Sequence, residues 1–457
     1  MSGLDVAIVG GGISGLATLH YVRSRRPDLT VHLYEKQARL GGTIGTDTVA
    51  GHSFDWGPNG FLDREPLTLE LCDELGLGDI LERANSNASK RFIVRGGRLR
   101  EVPMSPPKFL ASDILSLKGR LRVMAEPFAP KRPGDTDETI YDFAKRRIGR
   151  EAADYLVQPM VSGVYGGMAD RLSLKSCFKV MYEMESEHGS LIKAMISRMR
   201  KARREGRKSG GPAGPSGRLT SFEGGLYKLI ERFAELYDGH ISTGVPVASV
   251  TRSGDTYTLV DDGGRGVITA GRVVIATPSY RASELAQPLN GELSQALAEI
   301  PYAPIAVVCL GYRVEDVEHP LDGFGFLVPS KEQMGILGSI WTSSIFSGRA
   351  PDGQIQFRTM LGGDGNHKVA DLSDDELIKL TIEDLERIVG LKAAPIVSRV
   401  FNWRRGIPQY IVGHQARMQR IERALADLPG IHLAGNAYYG IGLNDCVKQA
   451  GHIADNL

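Results

Sequence analysis

The chain has 457 residues, 42% hydrophobic and 24% charged, with a formal net charge of +1. That length calls for two or three domains, and the composition excludes disordered and collagen-like classes. The balanced charge gives no ground for nucleic-acid binding, and neither a disulfide framework nor a metal cofactor is expected: Cys72, Cys177, Cys309 and Cys446 lie far apart and there is no H-E-x-x-H.

In chain order, Asp5–Val9 reads as a buried strand, Gly10–Gly15 as a glycine turn and Ser14–Arg25 as a helix with Leu16, Leu19, Tyr21 and Val22 apolar. Val31–Tyr34 is a second strand ending at Glu35. The run Val6–Val9 passes straight into glycines, so no signal peptide is expected. No apolar stretch reaches the roughly 18–20 residues of a membrane span. The spacing predicts a helix over Pro66–Leu81, and a hairpin of Arg91–Val94 with Leu99–Val102 about Gly96-Gly97.

Residues 108–200 read mostly as helices. Phe109, Leu110, Ile114, Leu115, Leu117, Leu121 and Val123 are apolar beside basic Lys118, Arg120 and Arg122, which suits an ordinary helical subdomain or a segment lying on a membrane surface. Seven basic residues and one acid between Arg198 and Lys208 lead into Ser209–Gly217, a solvated linker or a contact for anionic lipid. Strands are then expected at Ile241–Val250, Thr256–Val260, Val273–Ala276, Ile305–Leu310, Phe324–Val328, Leu337–Trp341, Gln354–Leu361 and Ile431–Ala434. Asp261–Gly264 reads as a turn and Asp374–Val389 as a helix.

Chemistry concentrates in the glycine motifs. Gly10-Gly11-Gly12-Ile13-Ser14-Gly15 is a G-x-G-x-x-G between a strand and a helix, answered by Glu35 twenty residues past Gly15. Glycines allow the tight turn and the approach of backbone to pyrophosphate, the helix N-terminus offers free N–H groups, and the carboxylate suits a ribose hydroxyl. Arg39-Leu-Gly41-Gly42-Thr43 adds a second glycine pair with a cation. Ile431-His-Leu-Ala-Gly435-Asn436, followed by Gly440-Ile441-Gly442-Leu443, repeats the strand–glycine–helix logic at the other end, although a capped surface helix also fits it. A cofactor touched by both ends is long, which favours FAD. No second complete fingerprint for NAD(P)H is present, so the electrons are expected to pass to oxygen or a quinone. No nucleophile elbow or Walker lysine is found, and a flavin carries the hard step without a protein nucleophile.

Taken together, these stretches resemble the protoporphyrinogen oxidase family, the myxobacterial-type bacterial enzymes most of all, along nearly the whole chain. The N-terminal glycines are shared with amine oxidases and phytoene desaturases. More specific are Gly57-Pro58-Asn59-Gly60-Phe61, Arg91-Phe-Ile, Ser162-Gly-Val-Tyr-Gly166-Gly, Tyr302-Ala-Pro-Ile, Gly323–Pro329, Gly406-Ile-Pro-Gln-Tyr410 with Gly413-His414, and Gly440–Cys446.

The resemblance implies an α/β and α+β fold with three parts. A discontinuous Rossmann-like FAD-binding domain would span 1–86, 218–298 and 403–457, a mixed-sheet substrate domain 87–110 and 299–402, and a helical membrane-binding domain 111–217. It implies six-electron oxidation of protoporphyrinogen IX to protoporphyrin IX in haem biosynthesis, with hydride transfer to N5 of non-covalent FAD, oxygen as acceptor and hydrogen peroxide as product. Cytoplasmic location with peripheral membrane contact is the expectation, with a homodimer and hand-off to ferrochelatase as further partners.

By matching motif, FAD contacts would come from Gly10 to Gly15, Glu35, Lys36, Arg39, Gly42, Thr43, Gly57, Pro58, Asn59, Gly60, Val247, Trp403, Gly435, Ala437, Ile441, Gly442 and Leu443. Arg91 would hold a propionate, Leu327, Ile340 and Met360 would clamp the macrocycle, and Gly166 would let backbone approach a pyrrole. Asn59 and Arg91 are the candidates closest to the chemistry, Asn59 through substrate orientation. By periodicity alone the apolar three are core residues, and Arg91 also reads as half of a surface ion pair. Thr43 stands where some relatives carry tryptophan. Coproporphyrinogen III oxidation, an amine oxidase, and a flavin- and porphyrin-binding protein without catalysis are the competing readings. No cysteine lies between Cys309 and Cys446 to tether a flavin covalently.

Overall fold

The computed structural model describes residues 3–103, 105–132, 134, 136–204, 217–261 and 266–457. Most of the Ser209–Gly217 linker, the end of the basic run before it, and most of the turn at 261–264 lie outside the described residues.

The first sheet is built on β1 (Leu4–Val9), whose partners are β2 (Val31–Glu35) on one side and Gly266–Ile275 on the other. Ile241–Thr243 extends it beyond β2, and Ile431–Leu433 pairs with residues 273–275. These five segments are parallel, so Thr243, Glu35, Val9, Ile275 and Leu433 end at one edge. Alternation along β1 loads both faces. Val6 and Ile8 join the core under α1 (Ile13–Arg25), Lys228–Leu236 and the C-terminal helix Leu443–Asp455. Ala7 and Val9 join the core under Ser279–Ala286, Gly291–Ala298 and His414–Ala426. A parallel sheet covered by helices on both faces binds ligands beyond its carboxyl edge.

One expected strand is two. Ile241–Val250 divides into Ile241–Thr243 at one edge and Val247–Ser253, which pairs antiparallel with Thr256–Asp261 at the other. Gly244, at φ +71°, turns the chain, and Pro246 cannot donate to a ladder. The helix expected over Pro66–Leu81 stops at Glu74, where Gly76 (φ +71°) ends it.

The second sheet runs, edge to edge, Arg98–Glu101, Arg91–Arg95, Gly325–Leu327, Ile336–Trp341, Gln354–Gly362, Tyr302–Arg313 and Val397–Pro408. Its back face carries Ala306, Val308, Leu310, Phe326, Trp341, Phe357 and Leu361 and packs on helix Asp374–Val389. That helix begins with a Ser373–Glu376 capping box. Val397–Pro408 is one continuous strand across the 402/403 boundary, so Trp403 belongs to the second sheet.

The described residues from 106 to 204 fold mainly into helices around two small cores, one of them containing Ile140, Phe143, Val161 and Leu172. Glu126 and Arg147 form a buried contact there, and Glu126 also accepts the N–H groups of Leu191 and Ile192. No described helix is long and apolar enough to cross a membrane.

Candidate cofactor and substrate site

The carboxyl edge of the first sheet brings the two glycine turns together. Gly10 adopts φ +115°, and a Cβ on Gly15 would overlap the Gly10 carbonyl oxygen, so these two glycines close the turn. Gly12 is different: a Cβ there would meet nothing within 4 Å. It is the N-cap of α1, which has no side-chain cap and no acid in its first turn. Ile13 and Ser14 begin that helix, whose leading N–H groups and dipole are thereby available to a phosphate.

Gly12 bridges Gly41, and the Gly41 N–H donates to the Gly11 carbonyl at 2.8 Å, so the second glycine turn sits against the first. Arg39 is the clamp of this turn. It donates to the carbonyls of Leu40 (2.8 Å), Ile44 (2.9 Å) and Gly42 (2.6 Å) and stacks on Trp56 at 4.2 Å. Its hydrogen bonds thus shape the backbone around Gly42, while Lys36 and Thr43 are exposed. Glu35 accepts the N–H groups of Gly11 (2.7 Å) and Gln37 (2.9 Å), which fixes the carboxylate and leaves lone pairs for a hydroxyl. The loop before Val247 folds against it, with the Val245 N–H on the Glu35 carbonyl. Val247 itself is buried.

The C-terminal glycines reach the same edge. Gly435 (φ +147°) follows Leu433, and Thr277 stands between the turns, near an added Cβ on either Gly10 or Gly435. Gly442 caps the C-terminal helix, its N–H bonded to the Asp445 carboxylate at 3.0 Å, with Ala437 and Leu443 buried and Ile441 packed on the helical region. Asn444 donates to the Leu62 carbonyl, tying this helix to the segment after Gly57, Pro58, Asn59 and Gly60. Tyr410 fixes the loop: its hydroxyl donates to the Asn436 carbonyl at 2.7 Å and accepts the Gly440 N–H at 2.9 Å. Its ring stacks on His414 at 4.1 Å. Burial lowers the His414 pKa to about 4, and its Nε2 donates to the Tyr438 carbonyl.

Facing this edge is the front of the second sheet. Register puts Leu327, Gly338, Met360, Val307 and Phe401 in one row, and Arg91, Gly325, Ile340, Arg358 and Cys309 in the next. Trp403, two residues from Phe401, shares the face and donates to the Trp56 carbonyl. Alternation along the strands puts all these side chains on one side. Helix Gln158–Tyr165 lies over it: a Cβ on Gly163 would press on Leu327, and one on Gly166 (φ +57°) on Ile305. The Gly166 carbonyl accepts the Asp364 N–H at 2.7 Å. Arg91 is exposed at the far end of its row, stacked on Phe324, with no ion pair among the described residues.

Arg91, Leu327, Ile340 and Met360 therefore share one face, with Gly166 on the helix over it and Asn59 on the loop whose Gly57 carbonyl accepts from Arg358. Arg358 and the buried Arg349–Asp55 pair (3.0 Å) are absent from the sequence expectations, and Tyr410 enters them only within the Gly406–Tyr410 motif, with no role of its own. Period-two alternation from Met360 identifies Arg358; the role of Tyr410 and the Arg349–Asp55 pair rest on long-range packing.

Several buried polar atoms around this junction have no partner among the described residues: Asn59 Nδ2, Thr277 Oγ1, Asn444 Oδ1 and Arg358 Nε. Together with the open space at Gly12 and the uncapped N-terminus of α1, they fit a long, polar cofactor laid along the edge. Among the described residues no cluster of His, Cys, Asp or Glu could hold a metal, and all four cysteines are free.

Comparison with known proteins agrees with that fit. Residues 13–457 match the model of flavin-containing amine oxidoreductases. The chloroplastic protoporphyrinogen oxidase of Oryza sativa subsp. japonica is 31% identical, over 99% of this chain and 88% of its own. The coproporphyrinogen III oxidase of Bacillus subtilis (strain 168) is 29% identical, over 97% and 96%. A crystal structure from Exiguobacterium sp. 255-15 superposes with a TM-score of 0.84 at 29% identity, covering 100% of this chain and 99% of that one. Cyclohexylamine oxidase from Brevibacterium oxydans IH-35A shares the fold, with a TM-score of 0.70 at 18% identity and 99% coverage of both chains. The chain belongs to the flavin-containing amine oxidoreductase family, and its cofactor is FAD.

Proposed function

We propose that the protein oxidises protoporphyrinogen IX to protoporphyrin IX, removing six electrons and six hydrogens while three oxygen molecules become three hydrogen peroxides. The observation that carries this reading is the single sheet face on which Leu327, Ile340 and Met360 lie in adjacent rows with Arg91 at the exposed end. A flat apolar macrocycle suits the first three, and a propionate suits the guanidinium. Bound FAD supplies the hydride acceptor at N5.

The chain's own residues bind and orient. Gly166 keeps the helix end close to the sheet, and the unpartnered Asn59 amide is free to position a polar group. The relatives named for coproporphyrinogen III oxidation support a second reading, in which a substrate with four propionates is used. The charges beside Arg91 favour the first. Lys90, Arg95 and Arg100 are already paired with Asp322, Glu151 and Asp113, which leaves Arg91 without a carboxylate. Turnover on both porphyrinogens tests the choice: a higher kcat/KM for protoporphyrinogen IX supports the proposal, and a strong preference for coproporphyrinogen III contradicts it.

Leu117, Leu121, Met124 and Phe128 are exposed at helical spacing, Phe128 by 90%, beside Lys118, Arg120 and Arg122. This stripe supports contact with a membrane surface. Cosedimentation with anionic vesicles, lost on Phe128→Ser with Leu121→Ser, is the expected result.

A further inference from the structure

Among the described residues, Arg358 is the one guanidinium on the inner part of the candidate face. It sits three strands from Arg91 in the same row, roughly 14 Å away at the usual strand spacing. Arg91 is exposed at the rim, whereas Arg358 is only 5% exposed. It donates to the Gly57 carbonyl, on the loop that also carries Asn59, and its Nε has no partner among the described residues. No carboxylate pairs with it among the described residues. Asp55, a buried acid whose charge acts on it, is held by Arg349 at 3.0 Å.

Burial lowers the pKa of Arg358, but a guanidinium does not give up its proton in a protein. A buried, unpaired cation costs several kcal/mol, because desolvation is not returned by a counter-charge. Arg147 and Arg349, the other deeply buried arginines, both have carboxylate partners. The exception therefore points to an anion outside the polypeptide. The pyrophosphate is accounted for at the N-terminus of α1, on the other sheet.

We infer that Arg358 is a cofactor-tuning residue whose charge stabilises the negative charge that the isoalloxazine takes up on reduction. The shared chemistry is an anionic oxygen, and a substrate carboxylate is the other source of it. Depth decides for the flavin: a carboxylate at the end of a propionate is met at the rim, where Arg91 stands. The inference rests on FAD as cofactor and is independent of which porphyrinogen is used.

The test is the midpoint potential of the holoenzyme, equilibrated with a reference dye without any porphyrinogen. Arg358→Met is expected to bind reduced flavin ten- to a hundredfold less tightly relative to oxidised flavin. That is a fall of about 30–60 mV at 30 mV per tenfold for a two-electron couple. Arg358→Lys keeps the charge and is expected to recover part of the shift, and Arg358→Gln carries the same readout where the methionine variant does not fold. Sulfite, which places the same negative charge on the ring, is expected to bleach the flavin band of the unmutated holoenzyme. An unchanged potential in the folded variants, or no bleaching by sulfite, overturns the inference. A raised KM for the porphyrinogen at unchanged potential also overturns it and assigns the charge to a substrate carboxylate.

Discussion

The hydroxyl of Tyr410 accepts the N–H of Gly440 at 2.9 Å, and through this bond the segment just past strand Val397–Pro408 holds the loop that opens the C-terminal helix. The same hydroxyl donates to Asn436. Tyr410→Phe keeps the stack on His414 and removes both bonds. The expected result is a five- to twentyfold weaker FAD dissociation constant, about 1–2 kcal/mol for the pair. Titration of the apoprotein with FAD measures it, and unchanged affinity contradicts the positioning role.

Gly12 and Gly15 separate cofactor binding from folding. Gly12 has extended backbone (φ −78°) and empty space at its Cβ, whereas a Cβ on Gly15 overlaps the Gly10 carbonyl. Gly12→Ala should fold, show an unchanged thermal midpoint as apoprotein and bind FAD at least tenfold more weakly. Gly15→Ala should lose stability even without FAD, read as a lowered apoprotein midpoint.

Expectation and structure agree where pattern is local. β1, α1 and β2 and the hairpin at Arg91 carry their apolar pattern and turn glycines in a short window, and the helix Asp374–Val389 carries its own capping box. Agreement fails where the pairing partner is distant. Val397–Pro408 alternates weakly because much of it is only half-buried, and its place in the second sheet is set by Tyr302–Arg313. Ile241–Val250 looks like one strand until two sheet edges claim its halves. For the site, glycine motifs were legible because phosphate chemistry demands them in sequence. Tyr410 and Asp55–Arg349 were not, because their partners lie 26 to 294 residues away.

Asp55 and Arg349 are sealed from solvent, with Arg349 also donating to Ser221 (2.8 Å) and Asp55 accepting the Leu226 N–H (3.0 Å). Removing one partner strands the other charge, so Arg349→Met is expected to lower stability by about 3–5 kcal/mol. The double variant with Asp55→Leu should recover part of that loss. Denaturant unfolding of the three variants checks both statements.

His414 sets a pH dependence. Its folded pKa of about 4 lies below the ordinary 6.5, because burial disfavours the imidazolium. The unfolded chain therefore binds more protons between these values. Stability is full above pH 6.5 and falls by up to ~3 kcal/mol as pH drops through 6.5 towards 4. His414→Phe should flatten this slope while keeping a ring against Tyr410. Unfolding at pH 7.5 and pH 5 in both proteins measures it.

The central claim, a flavin site that takes electrons from a porphyrinogen held on the second sheet, is tested most directly by the absorbance of the purified holoenzyme before and after anaerobic mixing with protoporphyrinogen IX. Loss of the oxidised flavin band with appearance of porphyrin absorbance is the expected result. A flavin band that persists while the porphyrinogen stays bound and colourless contradicts it and makes the protein a carrier.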